Sequence, residues 1–278
     1  MMTRTRGPSF LKDLWGRFHQ DELAGLSAEL AYFFLLSLFP FMIFLVTLIG
    51  YLPLDQENII EFLRQYAPGE ALTLIERNIQ GIIRSENGGL LSFGIIATIW
   101  SASNGLNAVI RAFNRAYDVK ETRSFIIARM MSVILTIAMI VVIIIALLLP
   151  VFGKQIGVFI FSTLGLSDTF LLIWNAARWV ISFFVLLVVF SCLYYFAPNK
   201  HLHWKEVFTG AFFATVGWII VSTAFSYYVG SFGNYSATYG SLGGIIVLMI
   251  WFYLTGMIIL IGGEINAILN CKRVSKIT

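Results

Sequence analysis

Charge is what this chain has least of. Asp, Glu, Lys and Arg make up 12% of its 278 residues while hydrophobic residues make up 58%. A soluble globular domain carries roughly 25% charged residues, so this scarcity, with a mean hydropathy of +0.83, excludes a soluble fold and predicts a polytopic membrane protein. Cysteine is almost missing too. Cys192 falls inside an apolar run and Cys271 lies just past the last one, which excludes a disulfide framework and a Cys metal pair. Of three histidines, His201 and His203 form an H-x-H on a short polar loop and His19 stands alone; a zinc or catalytic site needs more ligands, so the loop reads as solvated. Nucleophile elbow, phosphate-cradling glycine loop and paired-carboxylate motifs are missing as well. No cleavable leader is expected, because the first apolar run begins near Ala28, far behind Arg4 and Arg6, and is too long for a signal h-region. The net charge of +4 is not a nucleic-acid footprint here, since Lys and Arg gather on membrane-protein loops for reasons of insertion.

What is there is organised around Leu90 to Phe125, LLSFGIIATIWSASNGLNAVIRAFNRAYDVKETRSF. Its first part can cross a bilayer, for which about 20 residues suffice, yet it is polar for a span. Gly94, Ala97, Ser101, Asn104 and Ala108 recur at steps of three and four, so a helix presents them as one stripe of small and polar groups. Small residues let helices approach closely and an Asn in hydrocarbon needs a partner. The helix is therefore expected at the centre of a bundle, with Arg111 and Arg115 continuing the stripe into water.

Five further spans are expected around it, giving an all-α bundle of six transmembrane helices in one membrane domain over residues 1–278. The spans are predicted at about 30–52, 90–110, 127–152, 174–196, 207–229 and 243–269. Pro40 interrupts the hydrogen bonding of the first and predicts a kink. Ahead of it, Phe10, Leu11, Leu14, Trp15 and Phe18 share one helical side with Lys12, Asp13 and Arg17 elsewhere, the pattern of a helix lying on the membrane surface. Pro53 to Gly89 holds two amphipathic segments, expected to be extracytoplasmic. The third span is nearly pure Ile, Val and Leu and is expected to face lipid. The fifth repeats the small-residue logic through Gly210, Ala214, Gly217 and Ala224.

Cations set the orientation. Arg4, Arg6, Lys12, Arg17, then Arg111, Arg115, Lys120, Arg123, Arg129, then Lys200, Lys205, and finally Lys272, Arg273, Lys276 fall on one side of this arrangement. Arg64, Arg77, Arg84 and Lys154 fall on the other. The positive-inside rule then places both termini in the cytoplasm.

Glu264 is the sharpest candidate for chemistry. A ~1.5 Å rise per residue puts it roughly 9 Å inside the end of the sixth span, deep enough to need a partner or water. A proton-linked or substrate-binding carboxylate and a structural carboxylate at a helix end are both open readings. Asn104, Asn107, Asn266 and Arg111 are the other candidates for a polar cavity bounded by the second, fifth and sixth spans and open to the cytoplasm, with Glu264 on its wall. Gly94, Ser101, Gly210 and Gly217, with Pro40, are read as structural. No cofactor, metal or nucleic acid is expected; membrane lipids and a small or lipid-related substrate are, and an oligomer is compatible.

Several motifs in order resemble the YihY/BrkB membrane proteins. They are Trp100-Ser-Ala-Ser-Asn-Gly-Leu-Asn-Ala-Val-Ile-Arg-Ala-Phe-Asn-Arg-Ala-Tyr-Asp118 with Thr122-Arg123, then Tyr195-Phe-Ala-Pro-Asn199 with Trp204, then Tyr235 and Tyr239-Gly-Ser241, then Glu264-Ile-Asn266. The resemblance implies a bacterial six-span cytoplasmic-membrane protein from a family named both for serum-resistance virulence factors and, in an older assignment, as ribonuclease BN. Transport has been suggested for relatives. A permease is the leading expectation; a membrane ribonuclease and a non-transporting assembly protein are the alternatives.

Overall fold

The computed structural model describes residues 10–49, 88–140, 168–232 and 242–274, and every regular element among them is helical. In chain order these are α1 (Phe10–Gln20), α2 (Leu23–Ile49), α3 (Gly88–Ala116), α4 (Phe125–Ile140), α5 (Asp168–Phe196), α6 (Trp204–Phe232) and α7 (Leu242–Val274). The helices α2, α3, α5, α6 and α7 are long and apolar enough to cross a membrane, and α4 is a shorter apolar helix. The expected continuation of α4 to Phe152, the amphipathic segments from Pro53 onwards, and the motif residues Tyr235 and Tyr239 to Ser241 lie outside the described residues.

Several helices outrun the spans expected of them. α2 starts seven residues before Leu30, and α3 runs on through Arg111 and Arg115. The expectation stopped both at charged residues, but Glu29 and Arg111 pair with each other, so neither helix has to end where the charge begins. Pro40 stands inside α2, which continues through it; the helix loses one hydrogen bond there without terminating.

Two tight reversals depend on non-glycine residues in the left-handed region, Glu22 (φ 53°) and Asp118 (φ 54°). After α3, Val119 N–H reaches the Asn114 carbonyl at 2.9 Å and Asp118 N–H the Arg115 carbonyl at 3.1 Å. That is the Schellman closure with Asp118 at C′. Glu22 closes α1 in a related way, its N–H on the His19 carbonyl, and α2 begins at the next residue. At the start of α6 the Glu206 carboxylate accepts from His203 N–H at 2.8 Å, the side-chain half of a capping box.

Contacts divide the chain into two compact units, residues 34–102 and the remainder. In the smaller unit Gly94 lies against α2: a Cβ there would stand 2.8 Å from the Phe44 backbone nitrogen. In the larger unit α7 packs along α6, α6 along α5, and α1 against α7. The α6 face that meets α7 carries Val207, Gly210, Ala211 and Ala214 in full burial, whereas Ala224 is exposed, so the small-residue stripe serves packing only in the first half of the helix. α4 turns Phe125, Ile126, Met130 and Ile134 outwards, as a lipid-facing helix should. An apolar groove of about 430 Å³ runs between α4 and α5, lined by Leu135, Met139, Phe184, Val188, Cys192 and Leu193.

Candidate functional site: a buried charged knot at the end of the bundle

The end of α7 carries Gly262-Gly263-Glu264, and the two glycines decide what surrounds the carboxylate. A Cβ on Gly262 would fall 2.2 Å from the Tyr194 hydroxyl oxygen of α5, and one on Gly263 would fall 2.4 Å from the Phe113 ring of α3. Helices α3 and α5 therefore reach the α7 backbone itself. Glu264, the next residue, is drawn into the interior at 1% exposure.

A carboxylate so placed needs a partner, because an isolated buried charge is prohibitively costly. Arg17 of α1 supplies it: Nη1 donates to Glu264 Oε2 at 3.1 Å and to the Ala116 carbonyl at 3.0 Å. Ala116 ends α3, so the same guanidinium satisfies an orphan carbonyl at the negative end of that helix. The reverse arrangement holds as well. Arg115 of α3 donates from Nε to Asp21 Oδ1 at 3.1 Å and from Nη2 to the Gln20 carbonyl that ends α1. Each helix thus provides the arginine that closes the other. Asp21 is itself buried. Glu264 Oε1 is buried and receives no hydrogen bond from a donor.

Tyr117, one residue beyond α3, stands beside this group with a buried hydroxyl that makes no hydrogen bond. Burial pushes its phenol above the ordinary tyrosine range; the Glu206 and Glu264 carboxylates push the same way and Arg17 opposes them. The Lys200 ammonium sits 5.0 Å above the Tyr117 ring and donates to Asn270 Oδ1 at 2.9 Å.

The expected site residues divide among different tasks. Asn266 is fully buried but serves the α6–α7 seam: its Oδ1 accepts from Gly210 N–H at 2.6 Å and its Nδ2 donates to the Val207 carbonyl at 3.0 Å. A Cβ on Gly210 would stand 2.1 Å from the Gly262 carbonyl, so this contact requires glycine. Gly217 meets Ile258 at an ordinary 3.4 Å. Asn104 accepts from Arg129 Nη1 at 2.7 Å, which ties α3 to α4. Asn107 and Ser101 are half-buried on α3. Arg111 is half-exposed in its pair with Glu29. Asn104 and Arg111 thus take partners other than Glu264, and Glu264 is packed among side chains where an open cavity wall was expected. The groove described above is apolar and lies between α4 and α5.

Arg17, Asp21, Tyr117 and Arg129 were missed. The sequence pattern puts Arg17 on the wet side of a surface helix, and the exposed Leu11 and Trp15 do fit that description. The signal in the sequence was the four-residue step from Asp13 to Arg17 to Asp21, a charged stripe opposite the apolar one and directly before a span.

The first two groups of motifs quoted for the family resemblance meet in space. Arg123 Nη2 donates to the Pro198 carbonyl at 2.8 Å and approaches that of Ala197. Asn114 bridges the Glu121 carboxylate and the Asn199 N–H, at 2.8 and 2.6 Å. Asn199 Nδ2 in turn donates to the Lys120 carbonyl and to Thr122 Oγ1. Tyr195 stacks on Trp204 at 4.3 Å with the rings 3° apart. These residues clasp the loop after α3 to the loop after α5, which holds Tyr117 and Lys200 over the knot.

A family model described as virulence factor BrkB matches residues 14–278. The ribonuclease-like protein YfkH of Bacillus subtilis (strain 168) is 59% identical over 265 residues, covering 95% of this chain and 96% of that one. A UPF0761 membrane protein of Stenotrophomonas maltophilia (strain R551-3) is 26% identical over 274 residues, 95% of this chain; the chain spans 61% of that relative's length. The UPF0761 membrane protein VP0125 of Vibrio parahaemolyticus is 29% identical over 272 residues, covering 94% and 82%. No solved structure matches.

Proposed function

The chain belongs to the BrkB family of integral membrane proteins, and from that premise we propose that it is a permease for a small or lipid-related substrate, with the charged knot as its lock. The observation that carries this reading is the Arg17–Glu264 pair, 11% and 1% exposed, at 3.1 Å. A buried ion pair adds little stability over a well-packed apolar replacement, and an ionisable residue within a membrane segment is a functional candidate by default. This pair also joins α1, a short helix with no buried residue of its own, to the deepest part of α7. Separating them withdraws no buried side chain of α1, which suits an element that opens and closes. The cation distribution supports both termini lying in the cytoplasm of a bacterial cell, so that the lock faces inwards. A single membrane domain in contact with lipid is part of the same proposal.

The ribonuclease reading carries less. Metal-assisted phosphodiester cleavage needs clustered ligands, and no three His, Cys, Asp or Glu side chains among the described residues are grouped to hold an ion. The test is reconstitution into liposomes with a panel of neutral solutes, organic anions and fluorescent phospholipids. Flux above empty vesicles for one class, with its rate altered by Arg17→Gln at equal protein content, is the expected result. A folded, monodisperse protein that moves none of them, or that cleaves RNA through repeated purification, would overturn the reading.

A further inference from the structure

The knot fixes which side of α1 faces the protein, because Arg17 reaches both the Ala116 carbonyl and Glu264. The other sides follow from the helical turn. At about 100° per residue, Leu14, Phe18, Leu11 and Trp15 stand roughly 60°, 100°, 120° and 160° round the helix from Arg17, and His19, Lys12 and Gly16 roughly 200°, 220° and 260°. One flank is therefore apolar and the next polar. Exposure grows along the apolar flank away from the bundle: Leu14 and Phe18 are half-buried, whereas Leu11 is 74% and Trp15 68% exposed. On the polar flank Lys12 and His19 are exposed, and a Cβ on Gly16 would meet nothing within 4 Å.

The level of α1 comes from the half-exposed Arg111–Glu29 pair, which marks where α2 and α3 leave the hydrocarbon, since open charges do not stand in it. From there α3 runs five residues on to Ala116, and α2 starts six residues earlier at Leu23. At ~1.5 Å per residue the contact with α1 lies about 8–9 Å further out, and the headgroup layer is about 5–8 Å thick on each side. A helix at that height has acyl chains on one side and water on the other. Trp15 suits the boundary, with Phe18 stacked at 5.9 Å and His19 edge-on at 4.7 Å. Net charge contributes little, because Lys12 is followed by Asp13 and Arg17 is engaged in the knot. We propose that α1 docks on the bilayer surface through Leu11, Trp15 and Phe18, held by apolar burial and not by headgroup charge. Lipid and Glu264 then grip one short helix from two sides. The docking stands with or without the permease reading; with it, the membrane becomes a second hold on the lock.

Nitroxide scanning of the full chain in phosphatidylcholine vesicles tests this. With Cys192 and Cys271 replaced by serine, single labels enter through Leu11→Cys, Lys12→Cys, Trp15→Cys and Gly16→Cys, and none of these four positions is buried. Labels in place of Leu11 and Trp15 should collide with oxygen several-fold more than with a water-soluble nickel chelate, and those in place of Lys12 and Gly16 the reverse. Should the cysteine-free background fail to fold, bromolipid quenching that the wild type shows and Trp15→Phe lacks reports the same side chain with both native cysteines present. Equal nickel access at all four positions overturns the docking, since the apolar flank would then stand in water. Shielding of the Leu11 and Trp15 positions from both reagents overturns it too, and means that protein covers them. A lipid pattern that appears only after phosphatidylglycerol is added overturns it as well, because headgroup charge would then be what holds the helix. Flux in the liposome panel decides the permease reading alone and leaves this result untouched.

Discussion

The two halves of α7 are alike in composition and opposite in surroundings. Ile245, Ile246, Met249 and Ile250 are exposed, while Ile258, Ile259, Leu260, Ile265 and Ile268 are buried. Hydropathy cannot separate them, because lipid is as apolar as a leucine side chain and gives apolar residues no reason to turn inwards. What marks the inner half is Gly262, Gly263, Glu264, Asn266 and Asn270, all buried. In this bundle the small and polar residues are the ones that report the interior.

The largest effect should come from removing the charge partner of that inner half. Breaking a buried pair by deleting one member costs about 3–5 kcal/mol, because the other charge is stranded. Arg17→Met should therefore lower the unfolding temperature in detergent steeply. Arg111→Met should hardly move it, since an exposed pair such as Arg111–Glu29 is worth roughly 0–1 kcal/mol. Equal losses for the two would mean that the inner half is not the closed environment described here.

Next come the glycines. Gly210→Ala forces a methyl to 2.1 Å from the Gly262 carbonyl and 2.4 Å from Asn266 Nδ2, and overpacking of this kind costs about 1–3 kcal/mol or more. Gly217→Ala places its methyl 3.4 Å from Ile258 and should be neutral or slightly stabilising, since Ala is favoured over Gly in a helix by about 1 kcal/mol. Guest-residue melts of the two variants sharpen the comparison within one seam. A Gly217→Ala loss as large as that at Gly210 would show that the seam is tight along its whole length.

Much of this was legible before the structure. Apolar runs of bilayer length marked the spans, and the rule that an intramembrane acid needs a partner singled out Glu264. Its partner was not legible, because Arg17 lies 247 residues away on a helix whose exposed Trp15 and Leu11 make the surface reading sufficient on its own. Asn104 and Glu264 are both polar and inside spans, but polarity says only that a group needs a bond and not with what. Arg129 takes one and Arg17 the other. Arg115, expected only to carry the polar stripe into water, closes α1 through the Gln20 carbonyl, and that role depends on where α1 ends.

The smallest effect belongs to the outer half of α7. Met249→Ala and Ile246→Ala each remove a large side chain, which in a buried site such as Leu260 would cost about 2–5 kcal/mol, much of it for the cavity left behind. At a lipid-facing position acyl chains flow into the space, so no cavity forms and the lost contacts are replaced by equivalent ones. Both changes should then stay within about 0.5 kcal/mol of the wild type, the range usual for surface substitutions. Leu260→Ala, measured alongside, should fall into the larger range. If Met249→Ala were instead as damaging as Leu260→Ala, the outer half would have to be covered by protein. Dilution would then identify the cover. A loss that grows as the protein is diluted in detergent belongs to a second copy of the chain, and a loss independent of concentration belongs to a segment of the same chain folded back upon α7.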